Sequence, residues 1–253
     1  MILSRKSKTK RLVSDLVNKK RRLERGYARD VAKELRLQGA LASSSFEKDG
    51  EQAAVSRVQV RKQILAGIIE RSSLRVAVLF ALSLRQLVSS FPSGKQESKA
   101  KKPSLSKEAR DYIAKHALSR SEDITKNTIK KLRKVIVTGV EKGYAQSTIA
   151  KNINAVIDNP ARAKAIARTE VHTAAQYAQD KEAEESDVPL MRVWATAEDE
   201  TVRPTHARAE GQRRAIGKPF RVGGVLLMFP GDPSGPAEEI INCRCVLLYE
   251  PKR

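Results

Sequence analysis

Pro219-Phe-Arg-Val222, Gly223-Gly224 and Val225-Leu-Leu-Met-Phe229 form two β-prone runs joined by a pair of glycines. A Gly-Gly pair supplies the positive φ angles that a tight two-residue turn requires, so the stretch predicts an antiparallel hairpin. Upstream, Met191-Arg-Val-Trp-Ala-Thr196 alternates in the same way. Downstream, the rigid loop Pro230-Gly-Asp-Pro-Ser-Gly-Pro236 leads towards a last strand at Val246-Leu-Leu-Tyr249. Before Pro189 the regular segments carry helical periodicity instead. The expected class is α+β: a mostly helical N-terminal region followed by a small C-terminal α+β domain with an antiparallel hairpin.

Working back from the hairpin, Ala161 to about Glu185 predicts an Ala-rich helix. Ser147 to Ile157 predicts another, closed by Asp158-Asn159-Pro160, and Ile124 to Val140 a third, ending at Gly143. Ser106 and Ser121 are the expected N-caps, with Glu108 and Asp123 close behind them. Residues 8–37 predict one long helix whose apolar stripe is Leu12, Leu16, Leu23, Tyr27, Val31 and Leu35. Residues 39–50, with Gly39, Ser43–Ser45 and Asp49-Gly50, are expected to loop. A second helical region then sets Val60, Ile64, Leu65, Ile68 and Ile69 on one face. Residues 76–88 are apolar nearly all round and need partners on several sides. The Ser/Lys-rich, Pro-bounded stretch from Phe91 to Pro103 reads as a linker. The expected division is thus 1–90 as a basic helical region, 91–103 as linker and 104–253 as the second domain, with helices over 106–185 and strands over 190–249.

Charge separates the same parts. The 253 residues carry 49 Lys+Arg against 29 Asp+Glu, a net charge of +20. Residues 1–102 hold 24 basic and 9 acidic side chains, a net of +15. That excess asks for a polyanionic partner, most simply nucleic acid, and speaks against a neutral metabolic enzyme. Lys19, Lys20, Arg21, Arg22, Arg25 and Arg29 crowd the first helix and are the expected contacts for phosphate or for an acidic protein surface. No aromatic ladder interleaves them, which disfavours stacking on single strands. Val76 to Leu84, the most apolar run, spans nine residues between Arg75 and Arg85, far short of the ~20 a bilayer needs. No secretory signal is expected at the basic N-terminus, and no membrane partner.

The polar specials gather in the last third. Asp199, Arg203 and His206 are spaced four and three apart, so one helical turn would put them on a common face. His206 could then be oriented by Asp199 while Arg203 holds an anion, a nuclease-like trio for general-base chemistry. No P-loop, Gly-x-Ser-x-Gly or His-Glu-x₂-His motif accompanies them. Cys243 and Cys245, with His206 and with His172 as a fourth, offer a ligand set for Zn²⁺. The same residues also read as two small buried thiols flanking Arg244. The helix–Gly turn–helix over 124–157 admits a DNA-binding reading too, although such hairpins are generic packing units.

In order along the chain stand Gly139-x₃-Gly143, Ile166-Ala-Arg-Thr-Glu170, Trp194, Asp199-x₃-Arg203-x₂-His206, Pro230-Gly-Asp-Pro233 and Ile241-Asn-Cys-Arg-Cys245. This string resembles the phage head-morphogenesis family, minor head proteins similar to the F protein of phage Mu, over about residues 120–249. The resemblance implies a virion component of the phage head, made in the host cytoplasm. Its implied partners are the portal protein, the major capsid or scaffold protein, and packaged double-stranded DNA. It implies a structural or metal-binding cluster of Arg168, Glu170, Trp194, Asp199, Arg203, His206 and Asn242 with Cys243 and Cys245, and no catalytic role. The alternatives left standing are a metal-dependent nuclease on His206 and Asp199, and a DNA-binding protein outside the virion.

Overall fold

The computed structural model describes residues 5–91 and 105–252, with side chains from residue 13 onward. Five long helices come first: α1 (Arg5–Val60), α2 (Lys62–Ser89), α3 (Lys107–Glu141), α4 (Gln146–Ile157) and α5 (Pro160–Glu184). Short elements follow: β1 (Leu190–Ala195), α6 (Pro204–Ala207), β2 (Arg213–Ala215), β3 (Phe220–Val222), β4 (Val225–Leu227), α7 (Ala237–Ile240) and β5 (Val246–Pro251). The fold is α+β, as the hairpin required. Among the described residues no helix is long and apolar enough to cross a membrane. Apart from Phe91, the stretch expected to be a linker lies outside the described residues.

Several boundaries moved. Helix α1 does not end at residue 37; it continues to Gly50, where φ 78° and ψ −163° break it. The expected loop over 39–50 is helical because Val31, Leu35, Gln38, Ala42 and Phe46 all face inward at three- and four-residue spacing. The stripe near the start of α1 is also rotated by one residue. Val13, Val17 and Lys20 are buried, while Leu16 and Leu23 are only half-buried. Ser106 caps α3 through Ala109 N–H (3.3 Å), but Ser121 lies inside that helix and its hydroxyl donates to the Leu118 carbonyl (2.8 Å). On α2, Leu65 and Ile69 are buried, whereas Ile64 (46% exposed) and, at the end of α1, Val60 (70%) point outward. Over 76–88, Val76, Ala77, Phe80, Ala81 and Leu84 are buried and Leu79 is exposed.

The chain divides into two compact units. One comprises Arg25–Ser72 and Asp111–Ala167; the other holds the described residues before Arg25, from Ser73 to Arg110, and from Arg168 onward. The first is wholly helical, with Ala42, Phe46, Val55, Val58, Leu132, Ile136, Ile149, Ile153 and Ile157 in one apolar cluster. Its helices approach closely at glycines. A Cβ on Gly39 would lie 2.6 Å from Asn154 Oδ1, and one on Gly139 would lie 2.6 Å from Ile149 Cγ1. Glu34 anchors the same unit with a two-pronged ion pair to Arg61 (2.7 and 2.6 Å). Asn159 caps α5 by accepting the Arg162 N–H at 3.0 Å, ahead of Pro160 as first helical residue.

The other unit carries a three-stranded antiparallel sheet, β2-β1-β5, and the separate hairpin β3-β4. Gly223 and Gly224 take φ 57° and 87° in its turn, the geometry that placed glycine there. The strand β2 pairs Arg213 with Val193 and has no alternating pattern to announce it in three residues. Val13 and Val17 of α1 pack with Ala195, Val246 and Leu248. Arg192 on β1 is fully buried and ties the unit together. Its guanidinium donates to Asp180 on α5 (2.7 Å) and to the carbonyls of Met228 (2.9 Å), Ala215 (3.2 Å) and Lys218 (2.5 Å).

Candidate functional site: a buried thiol–imidazole centre

Three separated segments meet in this unit around Cys243 and Cys245. After α7 the chain turns at Asn242, in the left-handed region at φ 59°, and then runs out towards β5. Side chains two apart on such a run share a side. Cys243 and Cys245 therefore point inward, 1% and 3% exposed, while Arg244 lies outward, 3.1 Å from Asp199. His206 meets the sulfurs from the one-turn helix α6, which opens with Pro204. Its Nδ1 lies 3.3 Å from Cys245 Sγ and 3.7 Å from Cys243 Sγ. The opposite ring nitrogen lies 2.9 Å from Glu239 Oε2, which also accepts the Thr205 hydroxyl at 2.9 Å. Trp194 of β1 closes one side, its ring edge-on to the imidazole at 5.8 Å.

His172, on α5, is 1% exposed. Its Nδ1 is hydrogen-bonded to Lys20 Nζ at 2.7 Å. Its Nε2 is buried without a hydrogen-bond partner at normal geometry, while the ring lies close enough to Cys243 to feel the sulfur's charge. Gly231 makes room for that ring, since a Cβ there would sit 2.5 Å from His172 Cδ2. Lys20 is 3% exposed and so does not belong to the outward basic face of α1. Burial pulls its ammonium down to about 8, against the opposing charges of Cys243, Glu24 and Cys245.

These groups reset one another. Burial works to raise the Cys243 thiol, but the hydrogen bond from Cys245, the nearby His172 charge and the His206 contact outweigh it and hold it well below its ordinary value. Cys245, hydrogen-bonded to Cys243 and buried, moves well above. Burial works to lower His206, yet the Cys243 contact and charge leave it raised; His172 is lowered by burial and then by Lys20.

The remaining motif residues clamp the Ile241–Cys245 turn. Arg168 donates to Asn242 Oδ1 (3.3 Å) and lies 3.7 Å from Glu24; Thr169 Oγ1 accepts the Asn242 N–H (3.3 Å). Arg203 donates to the Ile241 carbonyl, and Asp199 holds Arg244. Glu170 is buried on α5 beside these residues. The expected face of Asp199, Arg203 and His206 does not form. Asp199 precedes α6 in a turn, where it accepts from the Thr201 hydroxyl and N–H (2.6 and 3.0 Å), contacts that hold its carboxyl below the usual range. The acid that orients His206 is Glu239, which the sequence reading passed over. Of the basic face, Arg21, Arg22, Arg25 and Arg29 are exposed, and Lys19 turns to the Leu79 carbonyl (3.3 Å) and Ser83.

Fold and site together define a class: a long-helical chain carrying a small antiparallel module, in which a buried thiol–imidazole centre is clamped by arginines. Residues 130–248 match the model of the family described as Phage Mu protein F like protein. It is the phage head-morphogenesis family that the motif string resembles. No curated protein and no solved structure matches the chain.

Proposed function

We propose that this chain is a minor component of a phage head, present in the virion in few copies, associated with the portal vertex and acting in head assembly and DNA packaging or ejection. The observation that carries the reading is the family match over 130–248, whose span contains Cys243, Cys245, His206 and the arginines that clamp their turn. The outward arginines of α1 support contact with packaged double-stranded DNA or an acidic face of the portal. Major capsid or scaffold protein is the further partner expected in host cytoplasm during assembly.

The nuclease reading gains little from the site. His206 is 2% exposed and Asp199 is committed to Thr201 and Arg244, so no acid–base pair faces a substrate. The helix-turn-helix reading fares no better, because α4 spends Ile149, Ala150, Ile153 and Ile157 on its core face and has Lys151 as its one basic residue. Mass spectrometry of purified particles, with this chain quantified against the portal protein, is the deciding measurement. Recovery at a low ratio to portal is expected; absence from particles together with no portal co-purification would sink the proposal.

A further inference from the structure

Cys243, Cys245 and His206 place one donor atom each within 4.8 Å of one another, and all three residues are buried. Two thiols and an imidazole form a borderline-soft donor set that suits Zn²⁺ above Mg²⁺ or Ca²⁺, whose preference is for oxygen. His172 lies outside that cluster: the Lys20 ammonium donates to its Nδ1 at 2.7 Å, which leaves the ring proton on Nε2.

The surroundings are those of a ligand shell. A metal-bound histidine needs its second nitrogen held, which fixes the ring and the tautomer. For His206 the second nitrogen is held by Glu239 at 2.9 Å, so Nδ1 is left for the sulfur side. Trp194 and Phe220, both fully buried and 5.4 Å apart, keep water from the β1 flank.

We propose that Cys243, Cys245 and His206 bind one structural Zn²⁺, with Glu239 as the second-sphere partner of His206. All three residues are at most 3% exposed, so the ion would sit away from bulk solvent. Such an ion would cross-link α6 and the run into β5, which lie far apart in the sequence. It would give a small module the kind of cross-link that a disulfide framework supplies elsewhere. The proposal stands on these residues alone and is independent of the head-protein reading.

The test uses the full chain, purified under reductant and assayed for bound metal. About one zinc per chain is expected, lost from the Cys243→Ser/Cys245→Ser double variant. The metal-free wild-type chain is then titrated with Co²⁺. An intense tetrahedral visible spectrum with thiolate-to-cobalt charge transfer, saturating at one equivalent, is the expected result. His206→Gln should weaken Co²⁺ binding at least about tenfold and disturb the spectrum, as loss of one ligand requires. Should the cysteine variant fail to fold, the wild-type spectrum decides. A weak octahedral spectrum, metal retained by the cysteine variant, or His206→Gln indistinguishable from wild type would each overturn the three-residue site.

Discussion

Glu239 shows what a single buried carboxylate does here. It is 7% exposed and accepts from both the Thr205 hydroxyl and His206 Nε2. Glu239→Ala strands two donors, each worth roughly 1–3 kcal/mol when left unsatisfied, so a loss of about 2–6 kcal/mol is expected in urea unfolding. Glu239→Gln keeps one acceptor oxygen and should lose less. A cost below about 1 kcal/mol for the alanine variant would show that Glu239 does not hold the imidazole. Asp180 gives a second test at this scale, because burial raises its carboxyl to about 6 against the pull of Arg192. Its folded value lies above its unfolded value near 3.8, so its contribution to stability is full below about pH 4 and is lost as pH rises through 6. Two pKa units correspond to about 3 kcal/mol. Asp180→Asn stays neutral throughout, so wild type should gain on the variant by up to that amount between pH 7.5 and pH 4.5. Urea unfolding of both proteins at the two pH values measures it; the opposite slope would mean that the guanidinium 2.7 Å away outweighs burial. Cys243, Cys245, His206 and His172 stood out in the sequence because cysteines and histidines are few and easily counted, and all four are buried. The sequence hid Glu239, which sits in a single turn of helix beside an equally acidic Glu238, too short for any periodicity to say which faces inward. Lys20 was hidden by its chemistry: it occupies the core spacing after Val13 and Val17, but a lysine among arginines reads as surface.

Among elements, the ones announced by local chemistry were found where expected. The Gly223-Gly224 hairpin, the Asn159-Pro160 start of α5 and the alternating β1 all carry their own signals. The continuation of α1 through residues 39–49 did not, because small and polar residues there suggest a loop until Ala42 and Phe46 are seen packing with Ile153 and Ile157. Gly39 belongs to that packing and marks close approach within a helix. Gly139 on α3 makes the same point against α4, and it can be tested. A Cβ there meets Ile149 Cγ1 at 2.6 Å and Cδ1 at 2.9 Å. Overpacking costs roughly 1–3 kcal/mol, while replacing a helical glycine by alanine returns at most about 1 kcal/mol, so Gly139→Ala should destabilise. In an Ile149→Ala background the clash is gone and the same change should stabilise. A thermodynamic cycle reads the coupling, and additive effects would rule out the contact as the reason for the glycine.

At the scale of the molecule, the question is which polyanion the excess positive charge serves. The sequence offered six basic residues on α1, but burial withdraws Lys20 and Lys19 turns towards Leu79 and Ser83. Arg21, Arg22, Arg25 and Arg29 remain exposed as the outward set. If each neutralises one phosphate of duplex DNA, the log–log slope of affinity against salt should be about −3.6, at roughly 0.9 per contact. Binding should not depend on base sequence, since arginines on a helix flank contact phosphates without reading base edges. Replacing the four arginines by glutamine should flatten the slope towards zero. Lys20→Met should leave it unchanged, because a buried ammonium releases no counterion. Fluorescence anisotropy with a labelled duplex across a salt series distinguishes these outcomes. A flat response in the wild-type chain, combined with salt-sensitive capture of the portal protein lost in the four-arginine variant, would assign the basic face to an acidic protein surface instead of DNA.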